Sequence, residues 1–208
     1  MVNCLRDISS NKATNVFSFG CFGLLLVAKP IVDMFWSVRY LDYLLLAYAV
    51  VLLVFGLLRY QITFGAIDVL ALCLCVLLCS SALSATGGSV VCIKMVSAFA
   101  VYFIGRLYWH YFESVKRPFL IALAFVVGVN VVCFLVGQGY QVWGSARTFT
   151  GVFFFKTDLA CALGMAFSAW LFLSDNHKGA FTVCITSAIL IILSNTRAYY
   201  IILLVDLL

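Results

Sequence analysis

The chain has 208 residues, of which 65% are hydrophobic and 10% charged, and it carries a formal net charge of +5. With a mean hydropathy of +1.15, it has too few charges to solvate the surface of a soluble domain of this size, which excludes that class. Its basic residues are scattered at the ends of apolar runs without forming a stripe, which excludes a nucleic-acid-binding surface.

Apolar runs of bilayer-crossing length recur along the chain and predict an all-α, polytopic helical membrane protein. A transmembrane barrel would instead alternate over segments of about ten residues. Predicted spans cover 15–36, 41–58, 66–84, 89–107, 119–137, 154–173 and 180–194, with an eighth starting near Thr196. Lys29-Pro30 interrupts the first span, and the loss of a backbone donor at proline predicts that the helix ends or kinks there. "IVDMFW" would then be a short re-entrant or interfacial piece. The first run lacks a small-residue cleavage site and is followed by further spans, unlike a removable signal peptide. With no internal repeat, low-complexity tract or linker, residues 1–208 read as a single transmembrane domain. The last apolar run extends about twelve residues, roughly 18 Å of helix against a hydrocarbon core of about 30 Å. The expectation is therefore the N-terminal portion of a longer protein.

Orientation follows from the basic loops. Arg6, Lys12, Arg59, Arg106, Lys116, Arg117 and Lys178 fall on one side, the cytoplasmic one, when the N-terminus is placed there. "SVRY", "SATGGS", "GYQVWGSARTFTG" and "SNTR" then face outward. His110 and His177 both lie on the cytoplasmic side, so no outward histidine base is visible and no metal ligand set can be assembled. Nine cysteines are present. Cys73, Cys75 and Cys79 share one span, but their spacing matches no usual zinc pattern, and they read as small packing residues. No phosphate loop, nucleophile elbow or dinucleotide fingerprint occurs, and no cofactor is expected.

The outward side collects Lys29, Asp33, Arg39, Asp42, Arg147, Lys156, Asp158 and Arg197. Charges at the hydrocarbon edge are costly unless they face a polar cavity or one another. Arginine offers a planar fork of donors to phosphate oxygens and lysine a mobile point charge, so Arg147, Lys156 and Arg197 are candidates for holding an anion. Thr148, Thr150 and the Gly151 amide would approach the ligand closely. Ser194 or Asn195 would cap the eighth helix and leave Arg197 in its first turn, where free N–H groups and the helix dipole favour phosphate. The plainer reading makes the arginines, Arg39 above all, lipid-headgroup anchors. In that reading Lys29 pairs with Asp33 four residues on, and Lys156 and Asp158 neutralise each other.

"RTFTGVFFFKTDLACAL", followed one hairpin later by "ILIILSNTRAYYIILLV", resembles the O-antigen ligase and O-antigen polymerase group of bacterial membrane proteins. Arg147, Gly151, Phe153 and Lys156 fall on the motif that opens one span of that group, and Ser194 with Arg197 on the motif that opens another. Thr157 stands where the group usually has asparagine. The match covers about the last third of the chain. The resemblance implies a GT-C-like glycosyltransferase of the bacterial inner membrane, working without a metal. It would transfer an undecaprenyl-pyrophosphate-linked glycan on the periplasmic face to lipid A-core or to a second glycan repeat. Arg147 and Arg197 would serve as the catalytic pair on the donor pyrophosphate, helped by Lys156, Thr150, Gly151 and Ser194 as substrate-binding residues. A ligase would also need an acceptor-activating histidine from a later loop, so the chain alone would be inactive. Two rival classes remain at this stage: a transporter or lipid-linked glycan flippase, and a non-catalytic membrane subunit.

Overall fold

The computed structural model describes residues 12–35, 38–60, 65–83, 88–143, 146–153 and 155–207. It is 85% helical. In chain order the elements are α1 (Lys12–Val32), a 3-10 turn (Asp33–Phe35), α2 (Arg39–Arg59), α3 (Ala66–Leu83), α4 (Gly88–Tyr108), a second 3-10 turn (Trp109–Tyr111) and α5 (Phe112–Leu135). A two-stranded hairpin follows, β1 (Tyr140–Trp143) and β2 (Ala146–Phe149), and then α6 (Lys156–Leu173), α7 (His177–Leu193) and α8 (Arg197–Leu207). Two described stretches, Phe99–Leu135 and Lys156–Leu173, are long and apolar enough to cross a membrane; Tyr43–Arg59, Ala66–Ser81 and His177–Leu193 are shorter apolar helices.

The structure is compatible with an all-α fold, and it adds detail at two points. Helix α1 runs through Pro30 to Val32 and passes into the 3-10 turn. So close to its end, proline removes a hydrogen bond without stopping the helix, as apolar helices tolerate. Likewise α5 starts at Phe112 and carries Pro118 within it. A small hairpin also accompanies the helices. Tyr140 pairs with Phe149, Gln141 with Thr148 and Val142 with Arg147 in an antiparallel ladder.

The described residues gather into two compact units, one of residues 12–25 and 43–112, the other of residues 26–42 and 113–207. The first is centred on Tyr108, which is fully buried. Phe22 stacks on its ring at 5.6 Å, Tyr60 meets it edge-on at 5.7 Å, and its hydroxyl donates to the Leu52 carbonyl at 3.0 Å. Gly56 makes that approach possible, since a Cβ there would stand 3.0 Å from the side chains of Leu107 and Tyr108. Helix α3 packs on α4.

The second unit is built around α6. Leu159, Ala160, Ala162, Leu163, Gly164, Ala166, Phe167 and Ala169 are all buried, so this helix is covered on most of its sides. Small side chains let its neighbours come close, the usual way apolar helices associate when no water is there to drive them together. Helix α7 packs along α6, and α8 touches both. A Cβ on Gly164 would sit 3.3 Å from the Tyr199 ring of α8. Trp170 Nε1 donates to the Leu120 carbonyl at 3.0 Å, tying α6 to α5.

Candidate functional site

The segment that carries Arg147 is shaped by a joint between the end of α5 and the loop after β2. Asn130 lies in an otherwise apolar run of α5 and is fully buried. Its Nδ2 donates to the Val126 carbonyl at 2.8 Å, and its Oδ1 accepts the Val152 amide at 3.1 Å. Both ends of the side chain are therefore satisfied, as a buried amide requires. Gly151 turns the chain with φ +59°, and a Cβ on it would fall 1.8 Å from Asn130 Oδ1. On the other side a Cβ on Gly139 would meet the Gly151 backbone at 2.7 Å. Only glycine fits either place.

The Gly139 carbonyl takes the Thr150 amide at 2.7 Å, the Gly151 amide at 3.1 Å and the Thr150 hydroxyl at 3.2 Å. The sequence reading placed those donors against a ligand. The structure spends them inside the joint, and Thr150 is almost fully buried. Thr148 is buried as well, its hydroxyl facing the Gln141 carbonyl at 3.5 Å. These residues hold the loop; they do not present it.

Arg147 is exposed, and its guanidinium lies 4.5 Å from the centre of the Tyr140 ring. Cross-strand pairing of Val142 with Arg147 and of Tyr140 with Phe149 puts all four on one face of the hairpin. Phe149 is fully buried beneath Tyr140 and against Phe134, with ring centres 5.3 Å and 5.8 Å away. The hairpin is anchored by Phe149 and carries the guanidinium on an aromatic ring, a pose that fixes its plane while leaving its edge free to donate.

Strand β2 lies against α7. Lys156, half-buried, is the first residue of α6. The Thr196 hydroxyl donates to the Lys156 carbonyl at 3.4 Å, which sets the start of α8 beside the start of α6. Among the described residues neither Arg147 nor Lys156 is in an ion pair. Lys29, by contrast, is paired with Asp33, the plain outcome for those two. Arg197 opens α8, and its side chain, like those of Arg39 and Asp42, lies outside the described residues.

The turn into α8 is not capped as expected. Ser194 is fully buried and its hydroxyl turns back to the Ile191 carbonyl of α7 at 2.7 Å. Asn195 takes the left-handed conformation, φ 51°, that commonly ends a helix. Thr196 is the residue before α8, and its carbonyl receives the Tyr199 amide at 3.1 Å. Ser194 thus closes α7 and supports Thr196 through their hydroxyls, 3.0 Å apart.

Other polar groups went unnoticed in the sequence. Asp68 is buried in the first unit, where it accepts the Gly65 amide at 2.8 Å, the Tyr102 hydroxyl at 2.8 Å and the Arg106 guanidinium at 3.1 Å. In the second unit Asp206 of α8 accepts the Ser168 hydroxyl of α6. Each is a lone acid in an apolar segment, and only the partners it meets in the fold give it away. Among the described residues no group of three or more His, Cys, Asp or Glu is placed to hold a metal ion.

No family model, curated protein or solved structure matches this chain.

Proposed function

We propose that the chain is a multi-pass membrane protein with seven to eight crossings, lying in a bacterial inner membrane, and that it binds the pyrophosphate of a lipid-linked glycan on its outward face. In this reading it is a glycosyltransferase of the O-antigen ligase or polymerase type. It transfers or polymerises an undecaprenyl-pyrophosphate-linked glycan in the synthesis of lipopolysaccharide or another surface polysaccharide, with lipid A-core or a second repeat as acceptor. The observation that carries the proposal is the Thr196–Lys156 hydrogen bond, 3.4 Å long, which unites two segments forty residues apart in the sequence. It brings Lys156 to the first turn of α8, which Arg197 opens, and Arg147 is assigned to the same site from β2, which lies against α7.

The chemistry needs little else. A departing polyprenyl pyrophosphate gains negative charge in the transition state. Cations fixed before the reaction stabilise that charge better than water, which must reorganise. Arg147, laid on Tyr140, is such a fixed group, and losing one would raise the barrier by about 2–4 kcal/mol. Thr150, Gly151 and Ser194 act in this scheme through the backbone they hold in place.

The test is transfer in membrane vesicles in which the chain is made from its complete reading frame, supplied with lipid-linked glycan and acceptor. Arg147→Ala and Arg197→Ala are expected to lose transfer while inserting normally. Full transfer by both variants overturns the proposal. If lipid-linked glycan instead crosses the bilayer without any acceptor being glycosylated, the chain is a flippase.

A further inference from the structure

We propose that Cys79 and Cys92 form a redox-sensitive thiol pair, able to close a covalent staple between α3 and α4. Of the cysteines on α3, Cys73 is exposed, whereas Cys75 and Cys79, one turn apart, are half-buried. Helix α4 covers that side of α3 and brings in a third sulfur. The thiol of Cys92 donates to the backbone carbonyl oxygen of Cys79 itself, 3.3 Å away. All three are free thiols.

This placement selects one pair. A disulfide needs Cα atoms roughly 4.4–6.8 Å apart and Cβ atoms that point toward each other. The Cys92 sulfur, set against the Cys79 backbone from the facing helix, is the one placed to approach that geometry. Cys75 and Cys79 project from one helix in the same direction, so their Cβ bonds run side by side and do not converge. Cys92 approaches from the facing helix, its sulfur against the Cys79 backbone.

The step is thiol–disulfide exchange with an oxidant that itself carries a disulfide. The thiolate of one cysteine attacks a sulfur of the oxidant, forms a mixed disulfide and releases the first thiol. The second cysteine then displaces the remaining half, which leaves as the second thiol. Overall two hydrogens pass from the pair to the oxidant, and one S–S bond is exchanged for another. The product fixes α3 to α4 near the point where the two helices are joined. Reduction by a dithiol reverses it.

The experiment uses the intact chain in detergent micelles, oxidised with glutathione disulfide, then alkylated, digested and mapped by mass spectrometry. The expected product is a Cys79–Cys92 linked peptide pair, short of two hydrogens and separated by dithiothreitol. Both positions should lose maleimide reactivity together while Cys73 keeps its own until it is capped. Cys75→Ser should leave the linkage intact, and Cys79→Ser or Cys92→Ser should abolish it. Continued labelling of Cys79 and Cys92 after oxidation overturns the proposal, as does a Cys75–Cys92 link or a link between two chains. The decisive map is made on the unaltered chain, so it does not depend on any variant folding.

Discussion

Thr196 donates its hydroxyl to the backbone carbonyl of Lys156, 3.4 Å away, so that the first turns of α6 and α8 start side by side. The same hydroxyl meets that of Ser194 at 3.0 Å. Thr196→Val keeps the shape and removes both contacts. The expected cost is about 1–3 kcal/mol, the range for a buried partner left unsatisfied. Thermal unfolding in detergent checks this, and glycan transfer should fall with it. An unchanged melting temperature would show that the two helix starts are held by packing alone.

Arg147 and Tyr140 form the second testable pair. Tyr140→Phe keeps the ring under the guanidinium and should preserve donor binding. Tyr140→Leu removes the ring face and should weaken it by about 0.5–2 kcal/mol, the worth of a cation–π contact from exposed to desolvated settings. Arg147→Lys keeps the charge but loses the planar fork and should fall between wild type and Arg147→Ala. Affinity for a lipid-linked pyrophosphate reads out all three. Equal affinities for the phenylalanine and leucine variants would show that Tyr140 contributes bulk only.

Asn130 and Gly151 should behave as one unit. Gly151→Ala drives a methyl group toward Asn130 Oδ1 and demands a left-handed backbone from alanine. Asn130→Ala strands the Val152 amide, at about 1–3 kcal/mol. In a double-mutant cycle the pair is expected to cost less than the sum of the two single changes, because Asn130→Ala makes room for the added methyl. Strict additivity of the two unfolding energies would contradict the close approach.

Asp68 supplies a test in the first unit. Asp68→Ala leaves the Arg106 guanidinium and the Tyr102 hydroxyl without their acceptor, at about 1–3 kcal/mol for a polar group left unsatisfied. Arg106 keeps part of its hydration, its side chain being 42% exposed, so the lower end is expected. Asp68→Asn should retain part of the network and melt between the two. The unfolding transitions of the three proteins decide it.

Most helices could be read in advance because bulk apolarity marks them residue by residue. The predicted spans 41–58, 66–84 and 89–107 lie within two residues of α2, α3 and α4 at each end. Pro30 does not stop α1 at once, because a missing donor near a helix end is a local loss that the surrounding turns outweigh. The hairpin was hidden for another reason. Its apolar alternation is four residues long on each strand, and it is specified by Gly139, Gly151 and Asn130, residues distant in the sequence. Asn130, Asp68 and Asp206 carried no local signal at all, since a lone polar residue acquires meaning only from the partner it meets. Of the residues proposed to bind the anion, the positions of Arg147 and Lys156 at the segment starts were legible. The inward use of Thr150, Gly151 and Ser194 was not, for it depends on carbonyls that only the folded chain brings near.

The crowding at the hairpin joint has a use outside this one molecule. Neither glycine can be exchanged while its neighbour stays where it is: the Asn130 amide fills the space beside Gly151, and the Gly151 backbone fills the space beside Gly139. Asn130, Gly139 and Gly151 therefore make a spacing of nine and then twelve residues that steric exclusion, not composition, enforces. In a greasy sequence, where overall likeness decays into generic leucine and valine, such a triplet is the kind of mark by which distant kin of this chain can be found.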